Sequence, residues 1–323
     1  MLVFFQKIKK IMDITIKDYE PKFKPLILDL FKTTFKKNMS ESFWNWKFEN
    51  NPFGKPIIKL AFDNEKLVGN YLVNPLKIIF KNEILPVLHS TTTMTHPNYS
   101  GMGISSNLAK QVFQLGTKLG YHAIIGFANN TSHNMFVNKL GFSDIEQIHE
   151  ISFTNSDFPS SKYRVEKISN FNEIPEKICF MMQTSLEKFS IMRNNSYLNW
   201  RFKMNPEIEY SCFKIINENE FLGYFVLKIF NETKCHIVDF LIKNDPECYK
   251  TMLNFSKSFS KINNLSSLTF WTNNQYFLNS LNPNSVQISS QETFFIINIL
   301  KDGNEHLENF NNWNLTMSDS DVY

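Results

Sequence analysis

Apolar residues at Ile104, Leu108, Val112, Leu115 and Leu119 recur at 4-4-3-4 spacing, which predicts one buried stripe on a helix of about four turns. Around it the pattern changes period. Ile14–Asp18 reads as a strand and Leu26–Phe35 as a helix, and Ser42 is the expected cap of a short helix carrying Trp44, Trp46 and Phe48. Ile57–Phe62 and Leu67–Val73 read as a hairpin turning at Asp63-Asn64-Glu65, and the β-branched run Val87–Thr95 as a strand. Ala123–Phe127 is expected to be a short buried strand, Asn130–Leu140 a helix and Glu146–Phe153 a closing strand. The expected fold class is α/β, a mixed and mainly antiparallel sheet flanked by helices.

The pattern occurs twice. Ser42-Phe-Trp-Asn-Trp-Lys-Phe-Glu-Asn-Asn-Pro52 corresponds to Ser196-Tyr-Leu-Asn-Trp-Arg-Phe-Lys-Met-Asn-Pro206 at an offset of 154, which also matches Gly69 to Gly223. Phe127-Ala-Asn-Asn130 corresponds to Trp271-Thr-Asn-Asn274 at an offset of 144, so the second copy is about ten residues shorter between these points. The expected organisation is a first domain over 1–155, a second over 163–300 and a tail over 301–323, with the linker near Asn155–Lys162.

The segment Thr95-His-Pro-Asn-Tyr-Ser-Gly-Met-Gly-Ile-Ser-Ser-Asn-Leu108 joins a strand to a helix and carries Gly101 and Gly103 at the junction. A helix start has unpaired N–H groups and the positive end of the macrodipole, so a glycine-lined turn there suits a pyrophosphate. On physics alone it is equally an ordinary tight turn. The second copy runs Lys243-Asn-Asp-Pro-Glu-Cys-Tyr249 at this point, without glycine and with Asp245 and Glu247 where an anion would have to sit.

This segment, with Gly126–Phe142 after it, resembles the coenzyme A motif of the GCN5-related N-acetyltransferase (GNAT) superfamily, Pro-x-x-Arg/Gln-x-x-Gly-x-Gly/Ala. Pro97 and Gly103 match, Ser100 replaces the Arg/Gln and Ser105 the final small residue. Asn130 and Lys139-Leu-Gly-Phe142 meet the later part of the family pattern. The resemblance covers 13–153 and, more weakly, the second copy. It implies two tandem GNAT-like domains and acetyl-CoA as donor, held by Thr93, Met94, Thr95, Ser100, Gly101, Met102, Gly103, Ile104, Ser105 and Asn130. It also implies that the fourth strand splays from the fifth, that an N–H of Thr93 or an immediate neighbour bonds the thioester oxygen, and that Thr95 bonds the pantetheine arm.

Relatives that acetylate histones place a general-base Glu eleven residues before the Arg/Gln; here that position is His89, an imidazole competent as a base near neutrality. The bland alternative is a half-buried strand histidine bonded to a hydroxyl. His96 and His133 read as surface or capping residues, and Tyr99 as packing. The family's usual acid, a Tyr in the helix before Gly-Phe, is replaced by Val137. Trp44 and Trp46 read as anchors of their helix. The function implied is N-acetylation of a small amine. Duplicated chains with Trp-x-Phe/Tyr-x-x-Asn-Pro resemble acyltransferases of bacterial surface-polysaccharide pathways, which makes an amino sugar the expected acceptor. Two other readings are a FemABX-like aminoacyl transferase and a non-catalytic coenzyme A-binding scaffold.

Composition narrows the partners. The chain has 323 residues, a net charge of +3 and 20% charged residues, too weak a bias to draw nucleic acid. Its four cysteines, Cys179, Cys212, Cys235 and Cys248, form no C-x-x-C pair, so reduced thiols and no metal are expected. The apolar patch Leu2–Phe5 is short and followed by lysines, unlike a secretion signal, and no run approaches a membrane span, so a cytoplasmic monomer or homodimer is expected. The polar tail Phe310–Tyr323 keeps Phe310, Trp313 and Tyr323 as anchors, which predicts a surface-bound segment; the alternative has it fold back toward the first domain and bring Asp319, Asp321 or the terminal carboxylate near substrate.

Overall fold

In a computed structural model, residues 14–153, 161–281, 286–321 and 323 are described. The segment Leu2–Phe5 and most of the expected linker lie outside them. The described residues fall into two compact units, one within 14–76, 86–144 and 296–305 and one within 77–85, 145–295 and 306–323.

The element order is the same in both copies. The first runs β1 (Ile14–Asp18), α1 (Lys24–Phe35), α2 (Glu41–Trp44, continued by a π turn to Glu49), β2 (Ile57–Asp63), β3 (Lys66–Phe80), β4 (Glu83–Thr95), α3 (Ile104–Lys118), β5 (Ala123–Asn129), α4 (Asn130–Leu140) and β6 (Ser143–Phe153). The second runs β7 (Arg164–Lys167), α5 (Glu176–Thr184), β8 (Ser190–Ile191), α6 (Asn195–Phe202), β9 (Ser211–Asn217), β10 (Glu220–Phe230), β11 (Lys234–Ile242), α7 (Pro246–Ile262), β12 (Ser267–Phe270), α8 (Gln275–Ser280) and β13 (Val286–Ile299). Only β8, which pairs with the end of β3, is extra. The first-copy signals hold within four residues except at β3, which runs seven residues past its expected end to Phe80, and Ser40, not Ser42, caps α2, its Oγ accepting from Phe43 N–H at 3.1 Å.

The shortening of the second copy has two sources: the β10–β11 hairpin is shorter than β3–β4, and residues 243–245 replace the longer connection 96–103 before the following helix. In both copies the Asn-Pro signature makes the same turn. Asn51 Oδ1 accepts from Phe53 N–H at 2.9 Å, and Asn205 Oδ1 from Glu207 N–H at 3.0 Å.

One expectation needs correcting. β6 does not close the sheet of the first copy. In the first unit the strand order is β1-β2-β3-β4-β5-β13, and in the second β6-β12-β11-β10-β9-β7. The last strands are exchanged: β6 pairs antiparallel with β12, Ile151 opposite Phe270, while the end of β13 lies beside β5, with Ile296 against Gly126. Copies of one fold present equivalent edges, so either closing strand satisfies either sheet, and alternation within a strand carries no record of which edge it meets.

The core of the first unit gathers Ile27, Leu30, Trp44, Phe48, Leu60, Phe62 and Met94. Trp44 stacks obliquely on Phe48, with centroids 4.6 Å apart, and its indole N–H donates to Glu49 at 3.1 Å. The second unit's core is built on Ile215, Phe225, Leu227, Ile237, Met252 and Phe270. All four cysteines are buried thiols. Among the described residues no helix is long and apolar enough to cross a membrane.

Candidate active site in the first unit

β4 and β5 pair in parallel over a short stretch, Leu88↔Ile124 to Ser90↔Gly126. Both strands then continue, β4 to Thr95 and β5 to Asn129, without further rungs between them. This is a splay, and its open end faces the connection 96–103. His89 lies at the closed end, opposite Ile125 and buried, with its ring edge-on to Phe127 at 6.1 Å.

The connection is shaped by its two glycines. Gly101 has φ 72° and Gly103 φ 76°, a region in which a side chain is strained. Gly103 is the residue before α3 and supplies no side-chain cap, and a Cβ added there would meet nothing within 4 Å. The first helical bond from this turn runs from Asn107 N–H to the Gly103 carbonyl at 3.1 Å, so the preceding amides stand at the open end of a fifteen-residue helix. Two side-chain ties fix the turn. Thr95 Oγ1 and Ser105 Oγ are 2.8 Å apart, joining the end of β4 to the first turn of α3. Tyr99 donates its hydroxyl to Asp63 at 2.5 Å, which with burial pushes the phenol up to about 12. That anchoring makes Tyr99 a strut of the turn, as its sequence setting suggested.

A cavity of roughly 310 Å³ opens over the turn, lined by Thr93, Thr95, Tyr99, Ser100, Gly101, Met102, Gly103, Ile104, Ser105 and Ser106, with Met135 and Lys139 from α4. Most of the residues expected to hold coenzyme A therefore meet here. Met94 does not line it; its side chain belongs to the apolar core, which leaves its backbone to contribute. Asn130 is the exposed first residue of α4, while its neighbour Asn129 caps that helix, accepting from Ser132 N–H at 3.0 Å. His89 is set back from the cavity lining. His96 caps the short turn at Pro97 through Asn98 N–H, and His133 pairs with Asp144 at 3.0 Å. Met135 was missed by sequence reasoning, and Lys139 entered only as part of the Lys-Leu-Gly-Phe pattern; the fold of α4 against the turn brings both to the cavity.

Coenzyme A fits this site on two observations. The space beside Gly103 is open where any side chain would project. The hydroxyl of Thr93 is buried, lines the cavity and has no hydrogen-bond partner among the described residues, as has that of Thr91 on the same strand. Such groups are costly unless a polar ligand atom meets them.

The second unit is different at the matching place. Asp245 caps α7, accepting from Glu247 N–H at 2.9 Å, and Tyr163 donates to its other oxygen at 3.1 Å. Glu247 accepts from Lys162 N–H at 2.9 Å. Carboxylates already hold this helix start, so an anion meets repulsion there.

No curated protein matches the chain in sequence. Among solved structures, the chain is similar to a probable N-acyltransferase from Enterococcus faecalis (TM-score 0.71, 16% identity, 89% of this chain and 73% of that one). It is also similar to a GCN5-related N-acetyltransferase from Anabaena variabilis (TM-score 0.70, 12% identity, 89% and 73%). A tandem GNAT protein of the clavulanic acid biosynthesis pathway matches over both halves (TM-score 0.57, 9% identity, 90% and 99%). Residues 15–144, which hold the splayed strands and the glycine turn, match the model of the acetyltransferase (GNAT) domain. Residues 15–144 thus match the GNAT domain, and the similar solved structures share its fold over about nine-tenths of the chain.

Proposed function

We propose that the protein transfers the acetyl group of acetyl-CoA to the amine of a small acceptor in the cytoplasm, with one donor site per chain, and that the acceptor is an amino sugar. The observation that carries the donor site is the open, uncapped turn at Gly103, which continues into the splay between β4 and β5. The amino-sugar reading is supported by the Trp-x-Phe-x-x-Asn-Pro repeat.

In this reading the amides of Ser100–Ser105 hold the pyrophosphate and Thr95 the pantetheine arm. The donor supplies an acyl group activated as a thioester. The N–H of Thr93, or of a neighbour on the splayed part of β4, donates to the thioester oxygen and stabilises the charge that develops there. The acceptor amine must be neutral to attack, and His89, at the closed end of the splay, takes its proton. Val137 offers no proton to the leaving sulfur, which a thiol pKa of about 8.5 allows to depart as a thiolate.

Calorimetry with coenzyme A and acetylation of a panel of amines, amino sugars included, test this. The expected result is a stoichiometry of one, turnover on amino sugars, and a fall in kcat of ~10²-fold or more for His89→Ala with affinity for the donor unchanged. A chain that binds no coenzyme A ends the proposal; one that acetylates only other amines ends the acceptor assignment.

A further inference from the structure

β11 and β12 pair in parallel from Lys234↔Ser267 to Ile237↔Phe270, where β12 ends, while β11 runs on to Ile242. The gap beside β11 beyond that end is filled. Thr316 donates its hydroxyl to Asp239 of β11 at 2.8 Å. On the other side, Asn273, just past β12, donates to the Trp313 carbonyl at 2.7 Å and accepts from Leu315 N–H at 3.1 Å. The ring of Tyr323 stands edge-on to Trp271 at 4.8 Å and to His236 at 5.5 Å. One segment thus touches both strands' continuations, and Trp313–Ser320 is buried along its whole length. This overturns the expectation of a surface-bound tail and places Asp319 inside the second unit.

The contacts read side chains as well as backbone. Arg193, itself buried, donates to Asp239 at 2.9 Å, to Asp319 at 2.8 Å and to the Thr316 hydroxyl at 3.0 Å. Arg201, also buried, donates to the main-chain oxygens of Ser318, Ser320 and Tyr323. Within the segment Asp319 accepts from Thr316 N–H at 2.8 Å in a capping box, while Arg193, Asp239 and Arg201 meet the hydroxyl, the carboxylate and the backbone oxygens from outside it.

We infer that the gap beside β11 beyond the end of β12 is a peptide-binding cleft for a Thr-x-x-Asp segment, and that its occupant is the chain's own residues 313–321 with Tyr323. The copy that lacks the glycine turn uses the continuation of β11 and the chain after β12 to hold peptide.

The test uses the full chain with a protease site inserted in the exposed turn Lys301–Gly303. After cutting, the fragment from Asn304 onward is expected to stay bound through gel filtration. It should exchange with a labelled synthetic peptide of the same sequence, and at least tenfold more weakly with one carrying Thr316→Val and Asp319→Asn. A fragment that separates and does not rebind, while residues 234–242 keep their hydrogen-exchange protection, overturns the inference. Should the cut chain aggregate, the uncut chain with both substitutions decides: exchange at 238–242 and 314–320 is expected to accelerate together by ~10²-fold, and unchanged protection at 238–242 overturns it.

Discussion

His236 occupies on β11 the rung that His89 occupies on β4: His89 lies opposite Ile125 and His236 opposite Thr269, and Ile125 and Thr269 match at the repeat offset of 144. The histidine is thus a feature of the duplicated fold, at the last rungs of the parallel pairing. Only His89 is in the copy with an open glycine turn. His236 has its Nδ1 2.8 Å from the Thr269 hydroxyl and is sealed by the rings of Phe230 and Tyr323. His236→Phe is therefore expected to leave kcat within twofold of the parent, in contrast to His89→Ala. A comparable loss at both positions, measured in one acetylation assay, would mean that the histidine serves the fold and not proton transfer.

Gly103 separates binding from folding. Its left-handed φ disfavours a side chain by about 1–2 kcal/mol, yet the Cβ itself meets empty space. Gly103→Asp should lower the melting temperature by only a few degrees while weakening coenzyme A at least ~10²-fold, through bulk and through a negative charge at a helix start. Calorimetry alongside thermal melts checks both halves.

The matched glycines of the repeat make the opposite case. A Cβ on Gly69 would lie 2.5 Å from Ile104 Cγ2 and 3.2 Å from Leu108 Cδ1, so α3 crosses β3 too closely for a side chain. Gly223 has φ 137° at a bulge in β10, and its Cβ would lie 2.4 Å from the Leu241 carbonyl oxygen. Gly69→Ala is expected to destabilise by about 1–3 kcal/mol, because flexible side chains can yield. Gly223→Ala should cost more, because backbone cannot. Denaturant titration of both variants orders them.

That pair also shows what the sequence could convey. The offset of 154 identified Gly69 and Gly223 as equivalent but held nothing of why each is glycine, since one reason is a helix crossing and the other a bulge. Local signals served well: the stripe from Ile104 to Leu115, the hairpin turn at Asn64 and the glycine turn at Gly101–Gly103 are all set by residues near one another in the chain, although Leu119, expected to continue the stripe, follows the helix and is exposed. What stayed hidden was long-range. The exchange of β6 and β13 leaves no mark on strand alternation, and the tail read as surface-bound because its partners, Arg193, Arg201 and Asp239, are far away in sequence.

Arg193 holds two buried carboxylates, so removing it strands both. Arg193→Met should destabilise the second unit by about 3–5 kcal/mol, the usual result of leaving a buried charge uncompensated. Adding Asp239→Leu and Asp319→Leu is expected to recover part of the loss, since apolar replacements of buried ion clusters are often tolerated. Denaturant midpoints that stay put for Arg193→Met alone would show that water reaches this cluster.

The same cluster and His236 set opposing pH responses. Burial, with Lys228 and Lys234 nearby, lowers His236 to about 4, so between that value and the ordinary 6.5 the unfolded chain binds the proton and stability falls as pH falls. Burial, opposed by Arg193 and aided by the charge of Asp239, raises Asp319 to about 6. Between the ordinary carboxylate value and 6 the folded chain binds that proton, so stability rises as pH falls. Asp239, held down by Arg193, titrates below this window. Each response amounts to roughly 3 kcal/mol at most, at about 1.4 kcal/mol per pKa unit, so they nearly cancel and the parent's stability should be flat between pH 6.5 and 4.5. Single substitutions uncover the two halves. His236→Phe should become more stable from pH 6.5 to 4.5, and Asp319→Asn less stable, as read from denaturant midpoints. Slopes of the same sign in both variants would show that one of these groups is not buried in the folded chain.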